Sequence, residues 1–396
     1  MDKGTGKKII IPDYIKTALL ALESRGFKAY LVGGCVRDFL LGKQPSDFDI
    51  TTDALPRQTK SCFAEYEVLT NGIKHGTVAP IIEHKAVEIT TFRTDGGYSD
   101  NRHPDKVEFT ARLKDDLSRR DFTVNAIAYS EQEGIIDLFG GTEDIKKKTI
   151  RCVGEADRRF GEDALRILRA LRFAAALGFE IEKETGNSIK KNIALLKNVS
   201  AERTYGEFIK LLQGDNASEI LLSFPCLCQT LFGICLNGRQ RAALKKAKTA
   251  EERLAIVFIY SSAELLKCLN PDNKTYNRLS DNIKNYRLRL TVKSLGVKEQ
   301  ELFIFENGLD YESAETMLRL KELMGTALDI NRFKACLEYS KANAHPIKIS
   351  ELDITGNDLK QIGIKGKKIK LTQELLLKSV IEGKVKNEKK ELLKLL

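Results

Sequence analysis

"LVGGCVRDFLLGKQPSDFDI", Leu31 to Ile50, places a glycine pair (Gly33, Gly34), an Arg-Asp pair (Arg37, Asp38) and two aspartates one residue apart (Asp47, Asp49) in one short run. The residues just before it complete "KAYLV", a β-rich run, while "CVRDFLLG" after the glycines has helical character and stops at Gly42. A glycine turn between strand and helix lets backbone N–H groups approach phosphate oxygens, and a helix N-terminus favours an anion. Arg37, one turn into that helix, is within reach of the same phosphates. "SDFDITTDA" reads as a strand, whose side chains alternate, so Asp47 and Asp49 share a face and Phe48 points into a core. Two neighbouring carboxylates repel unless a cation lies between them, and hard oxygen ligands suit Mg2+, which commonly takes one or two carboxylates plus substrate phosphates. Alone, Asp-x-Asp more often marks a surface turn or a calcium loop. The adjoining glycine turn is what directs the reading toward a triphosphate and its metal ions.

A third acid extends the pattern. "VAPIIEHKAVEITTFR" supplies two strand-like runs about a turn at His84-Lys85. In the second, Val87 and Ile89 share one face while Glu88 and Thr90 share the other. If that strand lies beside Asp47 and Asp49, three carboxylates converge, enough to hold two ions ~3.5–4 Å apart for an in-line phosphoryl transfer. The polar run Thr94 to Arg112 reads as a mobile loop, and "GIIDLFGG" as a strand with a glycine turn. The first 150 residues therefore form a mixed α/β unit. From Gly161 onward strand signals almost vanish and long segments favour helix, with breaks near "FPCLC", "CLNPDN" and "ENGLDYES". No internal repeat or long linker interrupts the chain.

Bulk properties agree. A chain of 396 residues implies about two to four domains. Its 42% apolar and 30% charged content fits a soluble globular protein, and no apolar run is long enough for a transmembrane helix. The basic N-terminus lacks a signal-peptide core and reads as cytosolic, so a cytoplasmic location is expected. Eight cysteines lack zinc-site spacing and read as reduced thiols; four scattered histidines offer no metal cluster. The net charge of +10 points to a polyanionic partner, and residues 365–396 carry ten Lys against four Glu.

Further motifs follow in a fixed order: "RRDFTVNAIAY" (Arg119 to Tyr129), "DLFGG" (Asp137 to Gly141) and "EDALRILRALRFAAALGF" (Glu162 to Phe179). With the opening stretch they resemble the motifs of class II tRNA nucleotidyltransferases, within the polymerase-β-like superfamily that also contains bacterial poly(A) polymerases. The resemblance spans roughly residues 28 to 212. It implies an α+β fold, with a polymerase-β-like nucleotidyltransferase head over 1–150, a helical neck over 151–215 that reads the base, a helical body over 216–300 and a helical, tRNA-binding tail over 301–396. It implies metal binding by Asp47 and Asp49 with Glu88 as supporting acid, triphosphate contacts from Gly33, Gly34 and Arg37, and ribose contacts from Asp121 and Asn125 with Arg120 nearby. Read without the family, Asp121 in that run would simply cap a helical turn.

For Glu162-Asp163-Ala164-Leu165-Arg166, a helix would put Asp163 and Arg166 on one face, where an ion pair is the plain reading. The resemblance assigns the pair to base recognition. Cytosine and adenine each present an amino donor beside a ring-nitrogen acceptor, whereas guanine and uracil present a carbonyl beside an N–H. An acceptor-only Asp beside a donor-only Arg matches the first two and opposes the others. Arg169 and Arg203 are further candidates. The neck motif of the family usually continues with a second Arg; here "ERTYGE" (Glu202 to Glu207) keeps Arg203 and replaces it.

The function implied is addition of CCA to tRNA from CTP and ATP with Mg2+, on tRNA as partner, with no membrane and no obligate protein partner expected. The family implies that the loop at Thr94 to Arg112 helps the switch from CTP to ATP, which disfavours CC-only addition. A-only addition uses the same motifs. Poly(A) polymerases typically carry a "GRRFRL"-like run where this chain has Asn71 to Thr77. A metal-dependent glycosyltransferase also uses Asp-x-Asp, but its strand–helix alternation over a larger domain is missing. A silent RNA-binding protein would not need Asp47, Asp49 and Glu88.

Overall fold

The computed structural model describes residues 10–96, 106–290, 296–326 and 330–396. The chain divides into two compact units, Met1–Cys235 and Leu236–Leu396.

In the first unit, α1 (Asp13–Glu23) turns Ile15, Ala18, Leu19 and Leu22 inward, the spacing of one helix face. β1 (Ala29–Val32) is buried on both faces and leads through Gly33 into α2 (Gly34–Leu40). β2 (Asp49–Thr52) is followed by α3 (Pro56–Cys62), which starts on a proline that needs no N–H partner there. β3 (Val68–Leu69), β4 (Thr77–Ile82), β5 (Lys85–Ala86) and β6 (Ile89–Thr91) complete one side of the sheet. The β4–β5 turn sits at Glu83 and His84, both with positive φ, one residue ahead of the expected position.

Part of the expected loop is ordered structure. β7 (Arg93–Gly96) pairs antiparallel with β8 (Lys106–Phe109), so the ends of the Thr94–Arg112 segment form a hairpin stem; residues 97–105 lie outside the described residues. α4 (Leu113–Ser118) leads to a single 3-10 turn at Thr123–Asn125, then β9 (Ile127–Ser130) and β10 (Gly134–Asp137). The main sheet runs β10-β9-β1-β2-β6-β4-β3, with β5 on β4. Its pairs are antiparallel except β2 with β6, which are parallel. Tyr30, Val32, Phe92, Leu117, Ala126, Ala128 and Val153 pack as one core cluster beneath it.

α5 (Gly141–Lys146) and β11 (Thr149–Ile150) lead into the helices. These are α6 (Ala156–Glu162), α7 (Leu165–Leu177), α8 (Lys183–Asn192), α9 (Ala201–Gln213), α10 (Ala217–Ser223) and α11 (Cys226–Phe232). One strand interrupts them against expectation: β12 (Glu180–Ile181) pairs parallel with β11. α7 packs along α9, burying Leu168, Leu171 and Ala175 against Phe208, Leu211 and Leu212, all on helical spacing.

The second unit is helical. α12 (Gly238–Lys246) and α13 (Ala250–Phe258) are separated by Thr249, whose hydroxyl caps Glu252 N while the Glu252 carboxylate returns to Thr249 N. α14 (Asn273–Tyr286), α15 (Val297–Glu306), α16 (Tyr311–Leu323) and α17 (Ile330–Ala342) follow, then α18 (Gly356–Gln361), α19 (Lys367–Ile381) and α20 (Lys389–Leu393). Ile304, Met317, Leu318, Phe333 and Leu337 belong to one core cluster, and Leu359, Leu377, Ile381 and Leu392 to another. Among the described residues, no helix is long and apolar enough to cross a membrane.

Candidate active site

The glycine turn is built as its sequence requires. Gly33 has φ +81° and donates its N–H to Ile127 O at 3.2 Å, tying the turn to β9. A Cβ at Gly33 would stand 3.2 Å from Arg120 Nη1 and 3.9 Å from Asp49 Oδ2, so glycine lets the guanidinium and carboxylate close on the backbone. Arg37 Nη2 would lie 3.7 Å from a Cβ on Gly34. Arg37 is buried, with Nε and Nη2 donating to Asp38 Oδ1 and Nη1 to Asn125 Oδ1 at 2.6 Å.

β2 begins at Asp49, so Asp47 sits in the extended segment ahead of the strand rather than within it. The alternation still holds: Phe48 and Ile50 are buried while Asp47 and Asp49 are not. The parallel register of β2 with β6 aligns Ile50 with Ile89, and Ile50 N donates to Glu88 O at 3.0 Å, which sets Glu88 beside Asp49. Both line a cleft of about 240 Å³ together with Thr77, Thr90, Arg119 and Arg120. Solvent reaches Asp49, but the protein packed around its carboxyl desolvates it and pushes it up; Arg120 pulls it down, and the charges of Glu88 and Asp47 raise it again, leaving it above the ordinary value.

Among the described residues, no group of three or more His, Cys, Asp or Glu is placed to hold a metal ion. The expected convergence of Asp47, Asp49 and Glu88 is thus not closed: three carboxylates repel, and Arg120 is the cation whose charge acts on Asp49. The chemistry of the donor set nevertheless fits magnesium. Asp47 and Asp49 present solvent-accessible hard oxygen donors, with Glu88 beside Asp49, and Mg2+ needs only one or two carboxylates when phosphates and water supply the rest.

Asp121 and Asn125 lie on the other side of the glycine turn and form a chain with two arginines. Asn125 accepts from Arg37 and donates to Asp121 Oδ1 at 3.2 Å, while Arg169 Nε donates to Asp121 Oδ2 at 2.8 Å. Burial alone would raise the Asp121 carboxyl, but Arg169 and Asn125 outweigh it and hold it down at about 2. Arg37, Arg169 and Arg172 all sit over the ring of Phe173, at 5.2, 5.4 and 4.0 Å from its centroid. Asp121 Oδ1 also accepts from Phe122 N, so the carboxylate steadies the start of the turn as well as the arginine chain. Arg120, expected with this ribose set, instead directs its guanidinium to Gly33 and Asp49.

The base-reading segment departs from a continuous helix. α6 ends at Glu162, and Asp163 follows with extended φ and ψ, so Asp163 and Arg166 do not share one helix face. Asp163 Oδ1 accepts from Leu165 N at 3.0 Å at the entry to α7, and Oδ2 takes Arg203 Nη2 of α9 at 3.1 Å. Arg166 Nη1 bonds Glu162 Oε2 at 2.6 Å, and Nη2 donates to Arg119 O at 3.0 Å. Each member of the pair is therefore oriented by its own partner, Asp163 by Arg203 and Arg166 by Glu162. Arg169 and Arg203 both take up positions against site carboxylates.

Sequence reasoning passed over Asp116, Arg119 and Phe173. Asp116 is fully buried, accepting from Arg119, Arg120 and Thr51. A signal for it existed in "KDDLSRR": an acid three and four residues before two arginines on a helical run.

A strand–glycine–helix turn facing carboxylates on two parallel strands, with arginines around it, defines a nucleotidyltransferase head. The family model described as "Poly A polymerase head domain" matches residues 29–151, and "Probable RNA and SrmB- binding site of polymerase A" matches residues 178–223. A CCA-adding enzyme of Ligilactobacillus salivarius is 38% identical, covering 96% of this chain and 97% of its own. One from Geobacillus thermodenitrificans is 37% identical over 94% of this chain and 93% of its own. A crystal structure of the Bacillus stearothermophilus CCA-adding enzyme in complex with CTP superposes with a TM-score of 0.77 at 32% identity, covering 97% of this chain and 98% of that one. The chain belongs to the CCA-adding enzyme family of tRNA nucleotidyltransferases.

Proposed function

We propose that this enzyme completes the 3′ end of tRNA, adding C, C and A from CTP and ATP without a nucleic-acid template. The terminal 3′-hydroxyl attacks the α-phosphorus of the bound nucleotide, a new phosphodiester forms, and the bond to the β-phosphate breaks to release pyrophosphate. The observation that carries the reading is Asp49 beside Glu88 on parallel strands, facing the Gly33 turn and Arg120. Asp47 and Asp49 would hold Mg2+, with Glu88 supporting them; the ion would acidify the attacking hydroxyl and offset charge on the triphosphate. The Gly33-Gly34 turn receives the triphosphate, Gly34 through its backbone N–H and Gly33 by letting the chain come close, since its own N–H is held by Ile127 O, with Arg37 and Arg120 at its sides. Asp121 and Asn125, braced by Arg169, meet the ribose.

Asp163 and Arg166 read the base, their orientations fixed by Arg203 and Glu162. An acceptor set beside a donor admits cytosine and adenine and opposes guanine and uracil. We further propose the division into head (1–150), neck (151–215), body (216–300) and tail (301–396), and action in the cytoplasm, where tRNA is the partner.

The test is extension of three tRNA transcripts, ending before CCA, after C and after CC, with Mg2+ and each nucleotide singly, then with CTP and ATP together. Growth of all three to a CCA end without use of GTP or UTP is the expected result. Extension of the CC-ended tRNA alone by one A would make this an A-adding enzyme, and long A tails on any RNA a poly(A) polymerase.

A further inference from the structure

Asp116 is the most completely enclosed carboxylate next to the cleft, and none of the roles above uses it. It lies on α4 with no exposed surface. Arg119 grips its Oδ1 through Nε at 3.0 Å and Nη2 at 2.7 Å. Arg120 Nη2 reaches its Oδ2 at 3.3 Å, and Thr51 Oγ1 donates to the same oxygen at 3.2 Å. Two of these partners lead directly to the reacting centre. Thr51 is two residues beyond Asp49 on β2 and so shares its face. Arg120 spends one arm of its fork on Asp116, while the other, Nη1, stands against Gly33.

We propose that Asp116 is a positioning residue for the incoming nucleotide, holding Arg120 with Nη1 aimed across the Gly33 turn so that it meets the triphosphate in a fixed orientation. The alternative partner explains why a buried acid is needed. Arg120 Nη1 and Asp49 Oδ2 flank the same backbone position, 3.2 and 3.9 Å from where a Cβ on Gly33 would stand. Without a second carboxylate behind it, the guanidinium would collapse onto Asp49 and Glu88, neutralising the carboxylates and withdrawing from the phosphates. A planar fork holds two anions at once in a fixed geometry, one per arm, where the rotatable donors of a compact ammonium fix no such orientation. Arg119, held by Asp116 Oδ1 through two N–H groups, accepts from Arg166 Nη2 at its backbone carbonyl, so the acid also fixes the strut beneath the base-reading arginine.

The inference rests on the reading of the glycine turn as the triphosphate site, and the test separates the two. In the full chain, Asp116→Asn keeps the shape and removes the charge. Equilibrium binding of ATP without tRNA and steady-state extension of CC-ended tRNA are measured for the wild type, Asp116→Asn, Arg120→Ala and the double variant. The expected result is about a tenfold rise in both the Kd and the KM for ATP in Asp116→Asn, with the KM for tRNA unchanged. In the Arg120→Ala background the Asp116→Asn change should add nothing, because it acts through Arg120.

An unchanged ATP Kd and KM, or an effect that multiplies with that of Arg120→Ala, overturns the proposal. If Asp116→Asn does not fold, Arg120→Lys carries the test: an ATP KM equal to wild type would leave Asp116 nothing to position. A wild type that binds ATP but extends no tRNA would remove the tRNA reading and leave the binding comparison to decide this one.

Discussion

At the scale of single residues, the site stores charge in pairs that burial makes costly to break. Asp121 illustrates this. Its carboxyl sits at about 2 in the folded protein, against an ordinary value of 3.8, because Arg169 and Asn125 outweigh the burial that opposes ionisation. A depressed folded value means stability that is fully present above the ordinary value and lost as pH falls from about 4 to about 2. The difference amounts to about 2 kcal/mol. Asp121→Asn should therefore be less stable than the wild type by that order at pH 7, and urea unfolding across pH should show the gap closing between pH 4 and pH 2. A gap that stays constant would mean the ion pair with Arg169 contributes nothing. At this scale part of the grouping was legible: Asp49 lies by Gly33 with Glu88 beside it, and Asp121, Asn125 and Arg169 form one hydrogen-bonded chain. The Asp163–Arg166 geometry was not, because a sequence spacing of three fixes a shared face only if the helix is continuous, and it breaks at Asp163. Cys35 follows the glycine pair directly. It is enclosed beside Asp49, and burial lifts its thiol to about 11, which leaves little thiolate to react at neutral pH.

At the scale of elements, the "DLFGG" turn acts as a brace for the Thr123–Asn125 turn. The Asp137 carboxylate accepts from Gly141 N at 2.9 Å and from Thr142 N at 2.8 Å, satisfying donors at the start of α5. Gly141 then lies so tightly on the Thr123–Asn125 turn that a Cβ would stand 2.1 Å from Thr123 O and 2.9 Å from Ile127 Cγ1. Gly141→Ala must displace backbone, not a flexible side chain. The expected cost is about 1–3 kcal/mol of stability from overpacking. Because the displaced turn carries Asn125, the KM for ATP and CTP should rise as well. Thermal unfolding and nucleotide KM values measured on the same preparation check both; a variant with wild-type stability would mean that the turn yields without strain. The strand–turn–helix around Gly33 was readable because glycine and alternating apolar residues leave local marks. The β7–β8 hairpin was not, since "RTDG" has no apolar alternation to mark a strand and "KVEF" is a short run in a polar stretch. Helix breaks in the second half were readable where side chains cap them: Asp272 accepts from Thr275 N at 2.9 Å and Asp310 from Ser313 N at 2.8 Å.

At the scale of the molecule, the net charge of +10 is unevenly spent, and this sets an expectation for how tRNA is held. In the first unit the arginines around the cleft are committed to carboxylates: Arg119 and Arg120 to Asp116, Arg169 to Asp121, Arg203 to Asp163. The second unit ends in a lysine-rich stretch in which several cations are paired, Lys378 with Glu306 and Lys389 with Asp358 among them. Lys365, Lys367 and Lys368 stand differently, together and exposed at the start of α19. Clustered exposed ammonium groups suit phosphates, and each phosphate neutralised releases counterions, steepening the fall of affinity with salt. Replacing all three with alanine should weaken tRNA binding and flatten the plot of log affinity against log salt by about 2 units, since each contact contributes about 0.7–0.9. Nucleotide KM should not move, because the Gly33 turn and Asp49 belong to the other unit. Titrating labelled tRNA into wild type and variant at several salt concentrations measures the slope directly. An unchanged slope would assign the tRNA contacts of this unit to other cations and leave the lysine cluster a solvated helix face.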